Sequence, residues 1–113
     1  MTHYLIWFPS DAMQVSEEEF PTVVLESHAL IQQMKDAGVY RFGGGIDEAV
    51  DSVVVDADGG VTTGTYPGWR PFDGGFTVIT VDSRDEAVEW AAKTAKACRC
   101  PQQLQVFMYD PES

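Results

Sequence analysis

Few side chains in this chain can do chemistry near neutral pH, so each is informative. Besides 18 Asp and Glu there are two histidines, seven Lys and Arg and two cysteines in 113 residues. His28 lies in a stretch whose apolar residues recur at helical spacing, at the edge of the stripe near Val24 and Ile31. A half-buried imidazole there titrates near neutrality and suits a proton shuttle. A boundary histidine bonded to a backbone carbonyl fits the same pattern. Tyr66-Pro67-Gly68-Trp69-Arg70-Pro71-Phe72 gathers three aromatics and an arginine into seven residues. Such a loop can line an apolar pocket and offer one cation to an anionic or aromatic ligand, or simply roof one end of the fold. Gly43-Gly44-Gly45 lacks the Lys-Ser/Thr of a phosphate loop and reads as a close backbone approach or a bulge. Cys98 and Cys100, with His3 and His28 remote in sequence, do not have metal-site spacing, so neither metal nor cofactor is expected. Asp47, Glu48 and Asp51 read as a solvated acidic stretch.

The elements that must position these groups are legible. Tyr4–Phe8 is a compact apolar run, a first strand stopped by Pro9-Ser10-Asp11. Ser16-Glu17-Glu18-Glu19 has capping-box spacing, with Ser16 as cap and Glu19 reaching back, although Pro21 delays the regular helix. Phe20, Val23, Val24, Ser27, Ile31 and Met34 then share one side of a helix that Gly38 stops. Val39–Phe42 is a second strand. Val53–Val55 and Val61–Thr63 flank Asp58-Gly59-Gly60 as a hairpin. Gly75–Val81 alternates as a strand. Ser83-Arg84-Asp85-Glu86 caps a helix with Ala87, Trp90, Ala91, Thr94 and Cys98 on one face, and Leu104–Tyr109 is a last strand. The order predicts a single α+β domain over residues 1–113, a ferredoxin-like split βαβ sheet with both helices on one face.

Charge and length narrow the function. A net charge of −11 repels phosphate backbones and anionic lipid, which argues against nucleic-acid or membrane binding. No apolar run is long enough to span a bilayer, and the N-terminus lacks the features of a secretory signal, so a cytoplasmic protein is expected. Cys98 and Cys100 are too close for an ordinary disulfide and are expected as free thiols. In the strand after Gly75, Phe76 and Val78 face one way while Ile79 and Val81 face the other. Two helices cover only one face of such a sheet, so a homodimer burying Ile79 or Phe76 is the economical cover for the other.

The blocks Gly74-Gly75-Phe76 and Val81-Asp82-Ser83-Arg84-Asp85-Glu86-Ala87-Val88-Glu89-Trp90-Ala91 resemble the second half of YCII-related (DGPF-type) proteins. Element order is similar over nearly the whole chain, and the likeness is sharpest from about Thr63 to Ala92. The resemblance implies a dimeric α/β barrel, and chemistry resting on a helix histidine with a loop aspartate, in lyase- or dehalogenase-type reactions. Here the Asp-Gly-Pro-Phe motif falls on Thr63-Gly64-Thr65-Tyr66, so Thr63 replaces the aspartate, and Arg70 stands where a lysine is usual. A threonine hydroxyl cannot charge-stabilise an imidazolium as a carboxylate does; Asp73 is the nearest substitute in sequence. The leading expectation is a small-molecule lyase, isomerase or dehalogenase with His28 as general acid/base and Thr63, Tyr66, Trp69 and Arg70 around the ligand. The alternative is a non-catalytic dimeric module that keeps the pocket and binds a small anionic or aromatic ligand.

Overall fold

The chain starts with an extended apolar segment and returns to it twice. In the computed structural model, which describes residues 1–113, β1 (Thr2–Phe8) leads through a 3-10 turn (Ser10–Ala12) to α1 (Phe20–Asp36) and β2 (Tyr40–Gly45). The hairpin β3 (Val53–Val55) and β4 (Val61–Thr63) follows, then β5 (Gly75–Val81), α2 (Arg84–Cys98) and β6 (Gln103–Val106). β1 to β6 except the hairpin form one sheet in the order β2-β5-β1-β6, with every neighbouring pair antiparallel. Each helical connection skips a strand, which is the split βαβ arrangement of a ferredoxin-like α+β fold. The hairpin is a separate two-stranded sheet.

Strand alternation sorts the sheet into two faces. Tyr4, Ile6, Ile79 and Val81 point towards the helices and form the core with Leu30, Met34, Ala87, Ala91 and Ala97. Ile6 and Ile79 are completely buried, each contributing about 1.5–3 kcal/mol of hydrophobic stabilisation. Leu5, Trp7, Phe76 and Val78 point the other way, where no element of the chain covers them. Ile79 therefore cannot meet a partner as expected from sequence: its alternation places it under the helices, and Phe76 alone of that pair lies on the open face.

Both helix starts obey local rules, with one difference. Ser83 caps α2 by accepting from the Glu86 amide. Ser16 accepts from the Glu19 amide at 3.1 Å, but this closes a turn ahead of α1, which begins at Phe20 with Pro21 in its first turn. The Glu19 carboxylate does not reach back. It receives the Arg99 Nε at 2.9 Å, while Arg99 Nη1 donates to Glu26 at 2.5 Å. Arg99 sits just past α2 in the left-handed conformation (φ 62°), so this fork ties the end of α2 to the first turns of α1. The Arg99 hydrogen bond holds the Glu26 carboxyl below its usual range, and the two carboxylates raise the guanidinium further above its own.

The last strand is shorter than the sequence suggested. Val106 pairs with Tyr4 and the Phe107 amide still donates to His3 O. The tail then leaves the ladder although His3 and Thr2 of β1 still stand opposite, and Met108 and Tyr109 are exposed.

One backbone contact locks the exit of β1. Gly74 has φ 82°, and a Cβ there would lie 2.0 Å from Phe8 O. Beside it, Asp73 accepts from the Ser10 amide and hydroxyl at 3.0 Å each, and Trp7 Nε1 donates to Asp73 O. Gly74→Ala combines a left-handed residue with a backbone clash and is expected to cost at least about 2–4 kcal/mol. Urea unfolding of the variant measures this, and a change under about 1 kcal/mol would show that the contact yields easily.

Candidate functional site

Glycine composition creates the main cavity. At the end of the sheet Gly45 pairs with Gly75, and Gly43 with Thr77. A Cβ at Gly43 would meet Phe76 O at 2.8 Å, so that glycine is required by close backbone approach. Gly44 and Gly45 have room for a side chain, Gly45 meeting only Gly74 O at 3.8 Å. Gly45 pairs with Gly75 on the helix face, so its bareness leaves the floor beneath α1 unfilled, while Gly44 pairs with Phe76 and faces the open side. α1 leans on α2 and on β2, and between it and the sheet lies an open-sided cavity of about 570 Å³. Its walls are largely apolar, with Phe8, Met13, Val15, Val23, Ile31 and Met34 among them.

The polar groups on this cavity are few. Ser27, His28 and Glu48 line it, as do Thr94 and Gln102 from the opposite side. Ser27 Oγ donates to Val24 O, and Thr94 Oγ1 to Trp90 O. Gln102 donates through Nε2 to Cys100 O, but its Oε1 is buried without a hydrogen-bond partner. A buried acceptor left unpaired costs about 1–3 kcal/mol. His28 is exposed at the rim and makes no hydrogen bond or ion pair within the chain.

The other residues expected to join His28 lie elsewhere. Thr63 closes the hairpin opposite Val53. Tyr66 and Trp69 are 69% and 74% exposed on a self-contained turn, in which the Trp69 amide donates to Tyr66 O and Thr65 Oγ1 donates to Trp69 O. Arg70 reaches Asp11 at 3.6 Å and Asp73 at 3.5 Å. None of these four lines the cavity beside His28. Phe72 turns onto the open sheet face and stacks on Trp7 with ring centroids 5.1 Å apart.

Asp73 is not a substitute partner for His28. The Ser10 amide, then the Ser10 hydroxyl and Arg70, hold its carboxyl below the usual range against the opposing effect of burial. That carboxylate is a structural anchor for the segment after β1. Sequence reading passed over Glu48, as part of a solvated stretch, and Gln102 altogether. No local pattern distinguishes either, because only the return of β2 and the turn after α2 brings them to one cavity.

Cys98 also lines the cavity, and both thiols are free and buried. Burial, with the neighbouring Cys100 adding to it, pushes the Cys98 thiol up to about 11. Compared with known proteins, the chain matches no protein-family model, and no curated protein matches it. Since the thiolate is the nucleophile, native Cys98 at pH 8 is expected to react with a thiol reagent at least about 100-fold more slowly than in urea, where both cysteines react without prior reduction. Fast labelling of the native protein, or a need for reductant in urea, would contradict the buried free-thiol arrangement.

Proposed function

We propose that this protein is a homodimeric binding domain for a small, largely apolar molecule bearing a hydrogen-bond donor, held in the cavity between α1 and the sheet. The observation that carries this reading is a largely apolar 570 Å³ space with the His28 imidazole and the Glu48 carboxylate on its lining, neither held in an ion pair by another group of the chain. That volume falls in the range of small-molecule sites. His28 and Glu48 at the rim supply the polar end, and His28 has no competing partner. The resemblance to YCII-related proteins agrees with a pocket beside a helix histidine, while the replacement of the family's aspartate by Thr63 favours binding over catalysis.

A second reading, acid–base chemistry of lyase, isomerase or dehalogenase type, is favoured by one observation: His28 and Glu48 line the same cavity. Under that reading His28→Gln abolishes turnover of a bound substrate while leaving its affinity intact, a loss of about a hundred- to ten-thousand-fold in rate.

The fluorescent phenol 2-naphthol, apolar with one O–H donor, tests the cavity directly. It is expected to bind saturably to the native protein. Gly45→Leu adds a side chain where the backbone has room and is expected to abolish binding without unfolding the chain. Glu48→Leu is expected to weaken it about tenfold, the worth of one hydrogen bond to a charged acceptor. Binding indifferent to both variants, or no binding at all, would overturn the reading.

Assembly rests on separate observations. Only 14 of 113 residues are buried, and the radius of gyration is 15.8 Å, against about 13 Å for a compact chain of this length. The molecule measures 44 × 43 × 21 Å, a slab with an apolar side formed by Leu5, Trp7, Phe42, Phe72, Phe76 and Val78. Two such faces packed together form the dimeric barrel that the resemblance implies. Sedimentation at micromolar concentration is expected to give a dimer for the native protein and a monomer for Val78→Glu, which plants like charges across the axis. A native monomer would refute it.

A further inference from the structure

The cavity beneath α1 is poor in donors and empty of positive charge, and this restricts the chemistry of what it can hold. Its lining carries one carboxylate, Glu48, one imidazole, His28, and no lysine or arginine. The seven cations of the chain are all placed elsewhere. Arg70 and Arg99 are each held by two carboxylates. The Lys35 and Lys93 ammonium groups lie over the rings of Tyr40 and Trp90. Arg41 donates to Thr80, whose alternation puts it on the other face of the sheet. Arg84 and Lys96 belong to α2 and do not line the cavity.

Most donors on the lining are already committed. The Ser10 hydroxyl donates to Asp73, that of Ser27 to Val24 O, and that of Thr94 to Trp90 O. Gln102 Nε2 donates to Cys100 O and Sγ. A helix start can present free amides to an anion, but that of α1 has none to offer. The Phe20 amide donates to Ser16 O, those of Thr22 and Val23 donate to Glu19 O, and Pro21 has no N–H. Only the Thr77 hydroxyl is left. Acceptors are in the opposite position. The Glu48 carboxylate has no ion-pair partner, and a neutral imidazole at His28 presents one unprotonated nitrogen in either tautomer. Phe8 and Phe20 add aromatic rings to the lining, and ring faces attract cations.

Charge beyond the lining strengthens the bias. Glu17 and Glu18 precede α1, Asp47 precedes Glu48, and none of the three is in an ion pair. The whole chain carries −11. An anion is repelled by that field and, once inside, finds no cation and few donors to replace its lost hydration. A cation is drawn in by the same field and meets a carboxylate.

We infer that the ligand of this cavity is an apolar amine, bound as its ammonium ion with the charged end at Glu48 and His28 and the hydrocarbon body against the apolar walls. The inference rests on the binding function proposed above and narrows it, selecting cations over neutral phenols and alcohols and rejecting acids.

Three probes with one naphthalene body separate charge from fit: 2-(aminomethyl)naphthalene, 2-naphthol and 2-naphthoate. Fluorescence titration at pH 8 leaves the amine charged and an ordinary imidazole neutral. The amine is expected to bind at least about tenfold more tightly than the naphthoate, and several-fold more tightly than 2-naphthol. Glu48→Gln keeps an acceptor and removes the charge. It is expected to weaken the amine about tenfold and 2-naphthol less than about threefold. Salt at about 0.5 M is expected to weaken the amine alone, and Gly45→Leu to abolish binding of both. If 2-naphthol binds but the amine binds no more tightly than the naphthoate, this inference falls and the cavity reading stands. If neither 2-naphthol nor the amine binds, both fall together. Amine binding that survives Gly45→Leu belongs to the acidic surface and would also overturn the inference.

Discussion

The pairing of β1 with β5 is the constraint on which the rest of the molecule depends. These two central strands run antiparallel over seven residue pairs from Thr2–Val81 to Phe8–Gly75, and both are apolar on each side. Alternation then forces a division of labour. One set, Tyr4, Ile6, Ile79 and Val81, nucleates the core beneath the helices. The other, Leu5, Trp7, Phe76 and Val78, is stranded on a face that no element of a single chain covers. A chain this short buries a modest share of its surface, and here the shortfall is concentrated on one side of a slab.

Glycine determines where the sheet is thin and where it is crowded. Gly43 and Gly74 stand where a Cβ would strike backbone, and they hold β2 and the exit of β1 close to β5. Gly45 stands where a side chain would fit beneath α1. The same end of the sheet is therefore tightly joined through its backbone and empty above it, and α1, held against α2 by the Arg99 fork, roofs the space instead of filling it.

The scarce cations are spent in different ways. Arg99 and Arg70 are each held by two carboxylates and serve the frame, one clasping the helices and the other bracing the segment after β1. Arg41 is steered by a strand bulge to a buried threonine, Thr80. Type alone does not separate these roles; what differs is whether an acidic partner lies within reach, and that depends on the whole chain path.

The sequence by itself determined most of the architecture. A compact apolar run located β1 and alternation located β5, helical spacing located α1 and α2, Ser83 marked the start of α2, and Asp58-Gly59-Gly60 marked the hairpin, because each rests on contacts within a few residues. His28 was legible as a residue at the border of an apolar stripe for the same reason. Tertiary structure decided what surrounds it. The aromatic loop that seemed its natural companion folds on itself and sends Phe72 to the far side of the sheet. Asp73 is consumed by Ser10, and Glu48 and Gln102 arrive from opposite sides of the cavity. The hydrogen bonds that join His3, Thr80 and Arg41 link three strands, through a register and a bulge that no local pattern encodes. Short-range rules set which elements form; which side chains meet is set by long-range pairing, where a one-residue slip in a strand moves a group to the other face.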